Sequence, residues 1–221
     1  MKAAQPSHST EPQPDNELAA SGGQRGLIRL LLLLCIAFYV PAGLIMLGII
    51  PFSMRFWVLV ATAAGLAVYA RFNGTSLRQL GIRADTLGGS LVANAVLSIV
   101  VITALGLAYS HGAIRAPTVP TWSLFFPLYV GLFCPAQEFT CRAVLFAEFE
   151  RVGFIPPGVQ ILLSAVTYAF IHIIYGDLLI LTATLAIGIA WGTIYLHYPN
   201  LWGVTLSHAV IGVVSILVGL V

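Results

Sequence analysis

Seven long apolar stretches joined by mostly short connections leave this chain few ways to fold outside a lipid bilayer. They cover residues 27–50, 56–72, 87–109, 122–146, 155–175, 178–198 and 201–221. Most are close to the roughly 20 residues that carry a helix across the hydrocarbon. Their apolarity is continuous, without the two-residue alternation of an outer-membrane barrel strand, so helices are the expected element. Composition agrees: 59% of the 221 residues are hydrophobic and only 8% are charged, whereas soluble domains carry roughly a quarter charged residues. The expected fold class is all-α, a polytopic membrane bundle of about seven transmembrane helices.

Basic residues set the expected orientation. Lys2, Arg25, Arg29, Arg71, Arg78, Arg83 and Arg151 fall on one side of these spans, against Arg55 and Arg115 on the other. By the positive-inside rule the amino terminus is cytoplasmic and the protein is a multi-pass component of the cell (inner) membrane. Residues 1–25 are polar, with no apolar periodicity, and read as a disordered cytoplasmic tail. Residues 26–221 then form the membrane domain. A net charge of +2 is small and dispersed, so no nucleic-acid partner is expected. Cys35, Cys134 and Cys141 lie within spans and lack C-x-x-C spacing, so packing is their expected role.

Against this background, Glu138 and Arg142 stand out in the middle of the fourth stretch, beside Gln137. An unpaired charge at the centre of a membrane helix costs about 2.5–3.5 kcal/mol on insertion scales, so both must face protein or water. With the acid four residues before the base, the order suits a helical ion pair. Pro135, just upstream, removes a backbone donor and is expected to kink the helix beside the charged turn. His172 and His208 lie in the fifth and seventh stretches. Placing the turn between the fourth and fifth helices near Gly153 leaves Glu138 fifteen residues before it and His172 nineteen after, at similar depth in an antiparallel pair. The last four helices, within residues 122–221, are therefore expected to build a cytoplasm-facing cavity around these groups.

The segments QEFTCR, YAFIH and NLWGVTLSHAVIG resemble, in this order, the motifs of the CAAX protease and bacteriocin-processing family of intramembrane glutamic endopeptidases. Those motifs read Glu-Glu-x-x-x-Arg, Phe-x-x-x-His and His-x-x-x-Asn. Carried over, Glu138 takes the place of the second Glu, Arg142 that of the Arg, His172 that of the first motif histidine and His208 that of the second. The resemblance extends from about Trp122 to Val221, with the loop SLRQLGIR as further support. Gln137 stands where the family has its first Glu, the water-activating base, and a neutral amide cannot accept that proton. Gly212 replaces the Asn that shares the oxyanion with the last histidine, and Tyr168 replaces Phe.

The resemblance implies an intramembrane endopeptidase, a hydrolase acting on a membrane-associated or lipidated peptide within the bilayer. In the expected mechanism Glu138 activates water that Gln137 positions, His172 and His208 stabilise the developing oxyanion, and Arg142 holds Glu138. No cofactor is required. The alternative is zinc, since Glu138, His172 and His208 match a hydrolytic ligand set. Two other functions stand beside proteolysis: a catalytically silent relative that binds a membrane partner, and a small ion-coupled transporter. Ser207 next to His208 points about 100° away on a helix, and Ser164 lacks a G-x-S-x-G context, so a serine mechanism is not expected.

Overall fold

A computed structural model describes residues 14–114, 120 and 122–220, and among them the chain forms helices and no strand. The helices are α1 (14–46), α2 (Arg55–Phe72), α3 (Leu87–Ser110), α4 (125–152), α5 (Pro157–Phe170), α6 (Leu178–His197) and α7 (Leu201–Leu217). Among the described residues five segments are long and apolar enough to cross a membrane: Gly23–Met46, Phe52–Phe72, Leu87–Ser110, Pro157–Tyr175 and Leu178–His197. The all-helical membrane bundle is thus as expected. α7 is shorter, at 17 residues. α1 reaches back to Pro14, well inside the stretch expected to be disordered; residues 1–13 lie outside the described residues. Proline in the first helical turn, followed by Asp15 and Glu17, is a favourable helix start that the polar composition masks.

α4 is the charged helix and also the innermost one. From residue 133 to 149 every side chain is buried except those of Pro135 and Phe139, which are partly so. Enclosure by the other helices is what permits ionised groups at this depth. Its path is not a plain α-helix. Where Pro135 removes a donor, the preceding turn Tyr129–Phe133 widens to a π-turn, and the Cys134 amide bonds back to the Tyr129 carbonyl. α1 solves the same problem at Pro41 with the π-turn Cys35–Tyr39. In each case the extra residue moves the proline ring off the carbonyl it would strike, so the chain wraps wide and continues. A further π-turn, Phe139–Val144, follows Glu138 directly.

Small and polar residues bring the remaining helices together, as expected where lipid supplies no hydrophobic drive between them. α3 turns Val92, Val96 and Ile99 outward and buries Ser90, Asn94 and Ser98 on its inner face. Ser98 and Ser207 of α7 share a 2.9 Å hydrogen bond, and any side chain at Gly203 would overlap the Ser90 hydroxyl. On α6, Gly188 and Gly192 admit α5, with the Ala165 Cα only 3.0 Å from where a Cβ at 188 would lie. Gly153 ends α4 at φ 82°, near the expected turn.

At the end of the bundle carrying the 73–86 connection, a second buried acid, Glu148, holds the helices. Arg29 of α1 lies 3.1 Å away and Arg151 2.5 Å away. Arg151 also donates to the Asn73 carbonyl and the Thr75 hydroxyl, fastening the loop. In that loop Asp85 is bound by Arg83 and Arg78, with the Arg83 hydrogen bond the larger cause of a carboxyl held well below its ordinary range.

Candidate functional site

Glu138 lies on the inner face of α4 with no exposed surface. One carboxylate oxygen accepts from His208 Nδ1 at 2.6 Å and the other lies 3.5 Å from Arg142 Nε. The Arg142 guanidinium is equally buried, set 4.5 Å over the Tyr168 ring and 5.7 Å from the Trp191 ring. The wide turn that begins at Phe139 carries Arg142 around to this position. The expected pair therefore exists, and it binds one of the two expected histidines directly.

His172 sits beyond the end of α5, where its ring Nδ1 donates to the Tyr168 carbonyl at 2.7 Å. Its Nε2 lies 3.5 Å from the Gln137 side-chain nitrogen. Tyr168 and Tyr175 flank the ring at 4.7 and 6.0 Å. His208 stacks on Trp191 at 4.9 Å and 20°. Trp191 is held in turn by a 3.0 Å hydrogen bond to Ser207. All five expected site residues converge on one region, but in two groups: Glu138 with Arg142 and His208, and Gln137 with His172.

A cavity of about 840 Å³ adjoins them, and it separates the residues into two groups. Gln137, His172 and His208 line it, as do Tyr129, Gly212 and the apolar flanks of α3 and α6. Glu138 and Arg142 do not; they lie behind its floor. The cavity is also wider in origin than the four-helix core, since Arg55 and Phe56 of α2 and Leu97 and Val101 of α3 contribute walls.

The mouth of the cavity lies at one end of the bundle. The cavity runs to Ser53, Arg55, Pro120 and Trp122, at the end of the bundle opposite the arginine-rich 73–86 connection. α5 runs fourteen residues from Pro157 to Phe170, and His172 follows at its end, beside Gln137.

Among the described residues no three His, Cys, Asp or Glu side chains group as a metal would require. The alternative set Glu138, His172 and His208 does not form such a group, and Glu138 accepts from His208 and pairs with Arg142 instead.

Trp191 and Tyr129 are site neighbours that sequence reasoning missed, and Ser207, considered there only as a nucleophile, instead holds Trp191. The signal for Trp191 was present as a lone indole in an otherwise aliphatic span, next to the small pair Gly188 and Gly192. Tyr129 carried no signal of its own; only the fold brings it beside α7.

Fold and site define a polytopic membrane protein with a carboxylate, a guanidinium and two imidazoles set around the inner end of a wide cavity. Residues 119–214 match the family model described as type II CAAX prenyl endopeptidase Rce1-like. The resemblance read from the three motifs is borne out over that segment, which contains every expected site residue. No curated protein and no solved structure matches the chain.

Proposed function

We propose that this protein is an intramembrane endopeptidase that hydrolyses a membrane-associated, lipidated peptide held in the cavity, with His172 as general base. The observation that carries this reading is that Gln137, His172 and His208 line one cavity while each imidazole has its Nδ1 engaged, by Tyr168 and by Glu138. The Nδ1 hydrogen bond to the Tyr168 carbonyl fixes the His172 tautomer and leaves its Nε2 as the reactive nitrogen. Glu138, shut off behind the floor, then acts through His208 rather than on water itself.

In the proposed reaction His172 Nε2 takes a proton from a water that the Gln137 amide orients. The water oxygen bonds to the scissile carbonyl carbon and the carbonyl π pair moves to oxygen. In its doubly protonated form His208 donates from Nδ1 to Glu138 and from Nε2 to that oxyanion. Collapse restores the carbonyl and breaks the C–N bond, and the departing amine takes the proton from His172. Arg142 holds Glu138 in place, and the two tyrosines beside His172 limit its rotation.

One observation favours a second reading, a silent relative that binds a lipidated peptide without cutting it: position 137 carries an amide at the cavity wall where the resemblance implies a base. Reconstituted protein and a prenylated reporter peptide in liposomes separate the two. Cleavage by the parent protein that is lost in His172→Ala supports the enzyme. Cleavage that appears only in Gln137→Glu assigns the parent to the silent class, and no cleavage in either sinks the proteolytic reading.

A further inference from the structure

Gly212 lies one turn after His208 on the face of α7 that lines the cavity, so a side chain there would point into the site. That space is taken. A Cβ at 212 would overlap the Tyr129 hydroxyl, and the ring Cζ lies only 2.9 Å from the same point. Tyr129 comes from a different helix, in the widened π-turn of α4 that Pro135 imposes. Its ring stands edge-on to His208 at 6.4 Å and stacks on Phe125 at 5.7 Å and 18°, which fixes its direction. The buried Cys134 thiol lies within hydrogen-bond reach of its hydroxyl. The glycine thus makes room for a phenol hydroxyl that reaches the cavity beside the carboxylate-bound histidine.

We infer that Tyr129 is a substrate-contacting donor of this site: its hydroxyl and His208 hydrogen-bond the same carbonyl oxygen as that oxygen becomes an oxyanion. The inference rests on the proteolytic reading above. No bond to Tyr129 forms or breaks, and the phenol keeps its proton throughout. A hydroxyl on a rigid aromatic ring suits this task, because its one rotatable O–H turns to the charge at little entropic cost. The geometry also explains why position 212 holds no polar side chain, since the donor arrives from across the helix interface instead. The wide turn before Pro135 then has a functional consequence, because it sets where Tyr129 points.

The test uses a lipidated peptide and its phosphinate analogue, in which a tetrahedral charged centre replaces the scissile amide, with binding to the full-length protein measured in detergent by fluorescence anisotropy. Binding needs no turnover. The parent is expected to bind the analogue more tightly than the peptide. Tyr129→Phe is expected to lose on the order of a hundredfold in analogue affinity, the scale of one oxyanion donor, with peptide affinity unchanged. Tyr129→Leu combined with Gly212→Asn, which clears the space and supplies an amide donor, is expected to regain at least tenfold over Tyr129→Leu alone. A parent with no preference for the analogue overturns the proteolytic reading and this inference with it. A preference kept in Tyr129→Phe, or lost equally for both ligands, overturns the role of Tyr129 alone.

Discussion

Arg142 has no exposed surface, and the only carboxylate within ion-pair reach among the described residues is Glu138 at 3.5 Å. Removing one partner of such a pair strands the other charge in a low-dielectric interior, at a cost of roughly 3–5 kcal/mol. Glu138→Leu and Arg142→Met are each expected to lose that much stability in detergent, whereas the double variant recovers most of it because neither charge is left alone. Singles that unfold like the parent in a denaturant titration would show the pair to be dispensable. Gln137 sits in a different setting, at the cavity wall, so Gln137→Glu is expected to leave the melting temperature within a few degrees of the parent. Ser207→Ala removes the acceptor of the Trp191 indole and the link to Ser98. Membrane hydrogen bonds average about 0.6 kcal/mol each, so a total loss of about 1 kcal/mol is expected, read as a small shift in the unfolding midpoint together with altered Trp191 fluorescence.

At the scale of elements, close approach between helices depends on single glycines. A valine at Gly203 would drive α7 off α3 through the Ser90 hydroxyl and its Cβ, the latter 2.9 Å from the new Cβ. Overpacking of this kind costs typically 1–3 kcal/mol. Because α7 carries His208, Gly203→Val is also expected to lengthen the contact to Glu138, seen as weaker ligand binding at the cavity. The 73–86 connection responds to pH with a definite sign. Asp85 has a folded-state carboxyl below its unfolded value, so its contribution is complete above the ordinary carboxylate range and is lost as pH falls through the folded value. The loop is expected to resist proteolysis unchanged from neutral pH to about pH 5, and Asp85→Asn to be cut faster than the parent at neutral pH. Equal cutting of the two would remove the Arg83 and Arg78 contacts from any role in holding the loop.

For the whole molecule, the decisive geometry is that the arginine-rich connection and the cavity mouth lie at opposite ends. We expect Ser53→Cys, at the mouth, to react with a membrane-impermeant maleimide in intact cells, and Leu77→Cys, in the 73–86 connection, only after permeabilisation, both in a Cys35→Ala background. The reverse pattern would invert the bundle and turn the cavity to the cytoplasm. Much of this was legible in advance. Long apolar runs fixed helices and spans, Glu138 and Arg142 announced themselves by the cost of charge in lipid, and the order of the three motifs indicated the family character of residues 119–214. The helical start at Pro14 was not legible, because polar composition hides the favourable run of Pro14, Asp15 and Glu17, whereas counting residues to the turn at Gly153 did bring His172 to the depth of Gln137.

Taken alone, the sequence determined what each segment had to be, because backbone satisfaction in a bilayer and the cost of charge act on every residue locally. It also named the five polar groups at stake. Which of them meet was decided only by tertiary structure. The wide turns at Pro135 and after Glu138, the shortness of α5 and the glycine approaches of α6 and α7 set relative rotations of helices far apart in sequence. Those rotations put Glu138 behind the cavity floor, left Gln137 and His172 on its wall and brought Tyr129 to Gly212. No local rule reads such pairings, since a turn of one residue in any helix moves its side chains by about 100° around the axis.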